Sequence, residues 1–266
     1  MNVNGIDVVY TSIDTMTAFD LETGDFMFTI DELQNLTISQ GEDKVDLTGR
    51  NGRKISSLKR NKTVTISGAS GMVSAGLMEM QTGGVFEKAV AIVKWDEELV
   101  VGDDKTAEIT YTPVGTTGNE IKAVYVKSGD VLGKLYTQNA TAGNGTFSYA
   151  GKKITFSEDL AGAKIFVTYM RKIQATQLVN YVDKFSKKCK LYADGTCEDG
   201  CAKQYRMQWQ FPKVDFSGTF ELAMGDSQTI HNFEAEALAN NCIGNGELWT
   251  YTIFGVNEKD AEEAAA

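Results

Sequence analysis

Four cysteines and one histidine are the residues best suited to metal chemistry. Cys189, Cys197 and Cys201 crowd into one short segment, and Cys242 or His231 could complete a set of four ligands. Thiolate and imidazole are ligands that zinc prefers. No CxxC pair of the kind found in zinc sites occurs, so free thiols in and around a turn are the favoured interpretation. We expect no metal and no cofactor.

His231 is the only imidazole available for acid–base or nucleophilic catalysis. The alternation in its segment predicts a strand on which His231 and Phe233 share one face and Glu234 and Glu236 the other. Glu234 therefore cannot pair with His231 on that strand. We expect a packed or hydrogen-bonded histidine and no catalytic residue. A hydrolase that uses scattered carboxylates stays as a third hypothesis, since such pairs cannot be recognised from spacing.

The net charge of the chain disfavours a function in nucleic-acid binding. Its net charge is −10, whereas phosphate binding needs a basic footprint. Neither GxGxxG between a strand and a helix nor GxxxxGK[ST] occurs, and the GASG at 68–71 is too short for a phosphate loop. The same charge is compatible with a surface past which nucleic acid slides.

One basic segment interrupts this acidic chain. Residues 41–62, which we call the arm, contain Lys44, Arg50, Arg53, Lys54, Lys59, Arg60 and Lys62. The Asn51-Gly52 pair predicts a hairpin with a type I′ turn. The arm is either a solvated hairpin or a charged element that docks on an acidic neighbour. It lacks the interleaved aromatic residues of a single-strand binder.

The elements that position these residues are mostly strands. The longest alternation runs from Val214 to Met224, with Val214, Phe216, Phe220 and Leu222 on one face and Asp215 and Glu221 on the other. Twenty-six glycines and only two prolines suit a β protein rich in turns. The sequence therefore predicts a mainly β fold.

A single short helix is predicted between Ser70 and Gly83. Ser70 is the expected N-cap, Met72, Leu77 and Met80 form the apolar stripe, and Gly83 is the expected end.

The spacing of strands divides the chain into a main domain and a middle region. Residues 1–87 and 173–256 are expected to form the main domain in two halves. Residues 88–172, with short strands between glycine- and asparagine-rich turns, are expected to form a β-rich insertion or sheet extension, with an Ig-like sandwich as one form of it. Residues 257–266 are expected to be a frayed acidic tail. We expect neither a secretion signal nor a membrane span, since no apolar run approaches ~20 residues.

Two blocks of the chain resemble a known family. The block at 28–83 contains LTGRNGRK and a strand that ends in ISG before a helix, and the closing block contains FEAEALA and LWTYTIF. Both resemble the major tail proteins, or tail tube proteins, of long-tailed bacteriophages.

The resemblance implies a tail-tube-like β-sandwich or half-barrel with one short flanking helix. It implies a structural virion protein, not an enzyme, that forms stacked and usually hexameric rings around the channel through which the genome leaves. Implied partners are further copies of the chain, tape measure, tail tip and terminator proteins, and viral DNA in transit without specific binding. No membrane is implied. The implied location is the virion tail, assembled in the host cytoplasm.

Two sets of site residues follow from the resemblance. The expected contacts between rings are Lys44, Arg50, Arg53, Lys54, Lys59 and Arg60. The expected lumen-facing acids are Asp215, Glu221, Glu234 and Glu236, although these could equally face outside solvent. An alternative function, which the middle region motivates, is an Ig-like module for virion decoration or host recognition.

Overall fold

A computed structural model describes residues 7–223, 230–239 and 246–255 of the chain. Their strands divide into two compact units. One unit contains the described residues up to Phe86 and those from Leu178 onward, and the other runs from Glu87 to Gln177. Met224, Cys242 and the predicted tail at 257–266 lie outside the described residues.

The first unit is a large sheet with one helix. Its first half comprises β1 (Val8–Asp20), β2 (Phe26–Ile30), β3 (Leu33–Thr48), β4 (Lys54–Ser70) and α1 (Ala75–Thr82). The second unit contains β5 (Phe86–Val100), β6 (Thr106–Glu108), β7 (Ile121–Ser128), β8 (Val131–Gln138), β9 (Thr146–Ala150), β10 (Lys153–Phe156) and β11 (Lys164–Leu178). The chain then completes the first unit with β12 (Lys188–Asp199), β13 (Gln204–Phe216), β14 (Leu222–Ala223), β15 (Ile230–Ala237) and β16 (Thr250–Gly255).

The strands of the first unit are joined in the order β2-β1-β12-β13-β15-β4-β3, with β14 beside β15 and β16 beside β13. The alternating side chains bury one face in a core that includes Met16, Ile66, Phe211 and Phe216, and Leu77 of α1 packs into the same core. Within the described chain, β2 and β3 end this order, so each leaves one backbone edge without a strand partner. The prediction of a mainly β fold with one short flanking helix is confirmed.

The second unit has a separate sheet in the order β5-β11-β7-β8-β9-β10-β6. Its core contains Tyr136, Phe147, Phe156 and Tyr169. At its side, the Arg171 guanidinium lies between two rings, with its central carbon 4.1 Å from the Trp95 centroid and 3.7 Å from that of Tyr111.

The long strand predicted from Val214 onward is shorter than expected. Val214 and Phe216 are buried as predicted, but β13 ends at Phe216 and the two-residue β14 begins only at Leu222. Between them, the Ser217 hydroxyl accepts a hydrogen bond from the backbone N–H of Thr219 (3.1 Å). Such local bonds compete with the strand ladder, so the alternation overstated the strand.

The helix begins later than predicted. Ser70 is the last residue of β4, where it pairs with His231, and Ser74 caps α1 by accepting from the backbone N–H of Leu77 (3.3 Å). Leu77 and Met80 are buried as expected, whereas Met72 precedes the helix and is exposed. The predicted end is confirmed, because Gly83 adopts the left-handed conformation (φ 71°) and donates to the Glu79 carbonyl.

Candidate functional site

Three of the four predicted acids lie together on the outer face of the first unit's sheet. Asp215 of β13 is directly opposite Glu236 of β15, and Glu234 is on the same face two residues along β15. The intervening Ala235 points into the core. The Lys188 ammonium, 3.4 Å from the Asp215 carboxylate, offsets part of the negative charge.

On the neighbouring strands β4 and β3, hydroxyl side chains lie in line with two of these acids. Glu236 is opposite Thr65 of β4, and Thr65 is opposite Ser39 of β3. Glu234 is likewise opposite Ser67, which is opposite Thr37. The two rows make this part of the sheet polar and acidic, and we call it the acidic face. It arises because every second residue of these strands is needed for the core, which leaves the other parity free for polar groups.

Glu221, the fourth predicted acid, is not on a strand. It is an exposed residue of the segment that connects β13 to β14. It nevertheless borders the same shallow depression of about 390 Å³ as Glu234 and Asn232. The structure therefore brings Glu221 to the margin of the acidic face and not into its rows.

The arm is the outer part of the β3–β4 hairpin, and its strands pair from Gly41 and Thr63 out to Thr48 and Lys54. Asn51 and Gly52 both have positive φ, 68° and 71°, which explains the residue types. The turn is wider than the predicted two-residue type I′ turn. It forms a short 3₁₀ turn that Gly49 and Arg53 close, with the Gly49 N–H donating to the Arg53 carbonyl (2.8 Å).

Two of the predicted inter-ring bases already have partners inside the arm. The Lys54 ammonium is 2.7 Å from the Asp46 carboxylate, and that of Lys59 is 2.6 Å from Glu42. The hydrogen bond from Lys59 lowers the pKa of Glu42. Both pairs are exposed, so solvent screening leaves each with little effect on stability.

The remaining predicted bases of the arm are exposed, and they differ in position. Arg50 and Arg53 lie at the tip. Lys44 is opposite Lys59, and Arg60 is opposite Asp43.

The arm also has an apolar side that the sequence reading did not identify. Val45 of β3 is directly opposite Leu58 of β4, and Leu47 follows Val45 on the same side. Leu58 is 54% exposed and Leu47 44%. The alternation of Lys44, Val45, Asp46 and Leu47 carried this signal, which the surrounding charge obscured.

A groove lined by aromatic and aliphatic side chains is a second feature that the sequence did not predict. It has a volume of about 350 Å³ and lies between β3 and strands β1, β12 and β13 of the first unit; the residues that line it are Tyr10, Ile13, Leu36, Ile38, Gln40, Ala193, Asp194, Met207, Trp209 and Trp249. The Trp249 ring is 5.0 Å from that of Trp209 and donates its N–H to the Gln40 side chain (3.0 Å). Residues from four strands and a connecting segment meet here, so no local pattern could reveal the groove.

His231 is packed and hydrogen-bonded, in agreement with its predicted role. Its side chain is fully buried, and its Nε2 atom is 2.9 Å from the Gln81 Oε1 atom of α1. The Gln81 amide in turn donates to the Asn232 carbonyl (3.1 Å), which leaves Oε1 as the acceptor and Nε2–H as the donor. Nδ1 has no partner among the described residues. Burial lowers the pKa of His231.

The described cysteines do not converge. Cys189 and Cys197 are both buried in β12 but belong to different hydrophobic clusters, and Cys201 is exposed. Burial raises the pKa of the Cys189 thiol to about 12, which keeps it protonated. In the described part of the chain, no three His, Cys, Asp or Glu side chains are grouped so that they could hold a metal ion.

A helix that spans a membrane needs about 20 predominantly apolar residues. Within the described ranges, no helix has the length and apolar character needed to cross a membrane.

A sheet with open strand edges, an acidic outer face and a hairpin arm is typical of a β-rich structural protein that associates through its surfaces. A comparison with family models agrees with this class. The model of the YomU/Tube protein family matches residues 9–249, and the chain therefore belongs to that family. The resemblance to phage tail tube proteins is thus confirmed, and the chain has a structural role in the tail tube. No curated protein matched the chain.

Proposed function

We propose that this chain assembles into hexameric rings that stack into the tail tube, and that the phage genome passes through this tube during ejection. The observation that carries the proposal is the acidic face, on which Asp215, Glu234 and Glu236 are displayed side by side. A wall of carboxylates repels phosphates, so DNA can move along it without adhering.

Ring formation is supported by the two ends of the first unit's sheet. An exposed strand edge is an aggregation hazard unless it is covered or paired. β2 and β3 each leave one edge without a strand partner in the described chain. A ring pairs one edge of each copy with the other edge of its neighbour, and closure removes the free edges.

Stacking is assigned to the arm. Its tip residues Arg50 and Arg53 are exposed, and this exposure supports a contact with acidic groups on the adjacent ring. Lys44 and Arg60 can add to this contact. Lys54 and Lys59 can contribute less, because they are already ion-paired with Asp46 and Glu42.

The proposed partners follow from a tube that is part of a tail. They are other copies of this chain, the tape measure protein inside the tube, the tail tip and terminator proteins at its ends, and viral DNA in transit. The proposed place of assembly is the host cytoplasm and the final location is the virion.

Negative-stain electron microscopy of the purified chain tests the proposal. We expect rings or tubes at high concentration, or after addition of a tail-tip initiator. A chain that stays monomeric under both conditions would count against the proposal.

A second candidate function is a decoration or host-recognition module in the second unit. The favouring observation is that residues 87–177 have a hydrophobic core of their own. The bordering segments lie close together, since a Cβ on Gly84 would be 2.7 Å from a Leu178 methyl group and 3.2 Å from the Val179 carbonyl.

A deletion separates the two functions. A chain with residue 86 joined to 178 should still form tubes if the second unit only decorates the tube. Loss of assembly in a folded deletion variant would instead make this unit part of the wall.

A further inference from the structure

The two sides of the arm differ in what they can contact. On one side, Asp46 and Glu42 are paired with Lys54 and Lys59, so these charges are partly satisfied within the arm. On the other side, Leu47 and Leu58 are exposed and Val45 is half-buried, next to Asp43 and Arg60, which are opposite each other. Contiguous exposed apolar side chains with a polar surround are typical of an interaction surface.

The groove offers a surface of matching chemistry. Ile13, Ile38 and Met207 line it together with Trp209 and Trp249, and its volume of about 350 Å³ can take a few aliphatic side chains. Tyr10, at its margin, is 55% exposed. No residue of the arm lines the groove of its own chain.

The position of the arm favours a second copy of this chain as the partner. Gln40 lines the groove and Gly41 begins the arm, but Leu47 lies six residues farther out, which is about 20 Å along a strand. The apolar side of the arm therefore extends away from the groove beside its base.

Charge favours the same partner. The arm has seven basic and three acidic residues in a chain of net charge −10, so the rest of the chain is strongly acidic. Asp194 is the charged residue among those that line the groove, whereas the nearby Asp14 is paired with Arg206 at 3.4 Å. A basic arm is attracted to the acidic remainder of a second copy, and Asp194 places one negative charge in the groove itself.

We propose that the apolar side of one copy's arm, Val45, Leu47 and Leu58, inserts into the groove of a second copy. The contact is heterologous, because different surfaces of the two copies meet, and such contacts propagate into open assemblies. The inference rests on the proposed function, since it states how the arm makes the contact between stacked rings. The tip arginines then lie beyond the groove and contribute charge attraction, while the aliphatic side chains supply the desolvated contact.

Disulfide cross-linking between two separately purified variants of the full chain tests this contact. One variant carries Leu58→Cys and the other Tyr10→Cys, both with Cys201→Ser and Cys242→Ser. After mixing, assembly and mild oxidation, we expect a cross-linked dimer in the mixture and at most traces in either variant alone. The matched control replaces Leu58→Cys with Leu132→Cys, a similarly exposed position of the second unit (48% against 54%). Tubes that form without the dimer would overturn the groove contact and leave the proposed function standing, whereas a chain that never assembles would overturn both.

A second experiment measures the apolar contribution without new cysteines. Leu47→Asn with Leu58→Asn should raise the concentration needed for tube formation about tenfold or more, because two leucines that the proposed contact buries are lost. Leu132→Asn should leave this concentration unchanged, and circular dichroism should show both variants folded. An unchanged assembly concentration for the folded arm variant would overturn the proposal.

Discussion

Asp215 of β13 and Glu236 of β15 face each other directly across the sheet, on the side away from the core. Like charges in this position destabilise a sheet. Lys188 reaches only Asp215, at 3.4 Å, so the repulsion from Glu236 is not removed. The repulsion between these two carboxylates lowers the stability of the sheet. The proposed lumen explains why both are present, because a negatively charged wall keeps DNA from adhering.

Neutralising Glu236 should stabilise the isolated chain. Glu236→Gln removes the repulsion while leaving the pair of Lys188 and Asp215, and we expect a gain of about 0.2–1 kcal/mol in the free energy of unfolding. Urea denaturation measures it. Glu198→Gln, on β12 opposite Val9 and Gln204, is the control and should have little effect. A less stable Glu236→Gln variant would contradict the repulsion.

Reversing the charge of the acidic face should make the tube retain DNA. Glu234→Lys with Glu236→Lys should leave tubes of normal appearance that bind duplex DNA, with an affinity that falls steeply as salt rises. Pelleting of tubes with labelled DNA measures the binding. Glu87→Lys with Glu108→Lys, both exposed in the second unit, is the control. Equal DNA binding by the two double variants would argue that the acidic face is not the lumen.

Charge reversal at the tip of the arm should impair stacking. Arg50→Glu with Arg53→Glu should shorten or abolish tubes while the circular dichroism spectrum stays unchanged, because both residues are exposed and belong to a turn. Lys164→Glu with Lys172→Glu, in the second unit, matches the charge change and should assemble normally. Electron microscopy compares tube lengths, and tubes of full length from the arginine variant would exclude a role for the tip.

His231 should make stability depend on pH. Burial holds its pKa in the folded chain below the ordinary value of about 6.5, so the unfolded chain binds a proton first as pH falls. The free energy of unfolding should therefore decrease from pH 7 toward pH 5.5. His231→Phe removes the only histidine, and its unfolding energy should change less over this range. Urea titrations at several pH values make the comparison, and identical pH slopes would refute the prediction.

Arg171 should stabilise the second unit through its aromatic neighbours. It is 8% exposed and lies between Trp95 and Tyr111. Arg171→Ala should lower the free energy of unfolding by about 2 kcal/mol, through lost cation–π attraction and lost packing. Lys172→Ala, at the next and exposed position, should change it by less than about 0.5 kcal/mol. Tryptophan fluorescence during urea unfolding measures both, and equal effects would contradict the assignment.

Much of the fold could be predicted because its signals are local. The alternation around Phe233 and Glu234 reported the two faces of β15, and Asn51-Gly52 reported a turn whose two residues have positive φ. The end of α1 was also predicted correctly, because Gly83 is the residue type that favours the left-handed conformation after a helix. The same local reasoning misplaced the helix start, because it could not know that Ser70 pairs with His231 at the end of β4. It also extended β13 too far, since the turn bond of Ser217 is invisible in a hydrophobic pattern.

The sequence by itself therefore determined the strand-rich fold, the acidic and basic segments and the family resemblance, because residue type and parity alone carry this information. Only the tertiary structure decided which strands are neighbours. That order places Asp215 opposite Glu236, and it gathers Trp209, Trp249 and Ile38 into one groove. The physical reason is that strand order and register depend on side chains distant in sequence, which must fill one core together.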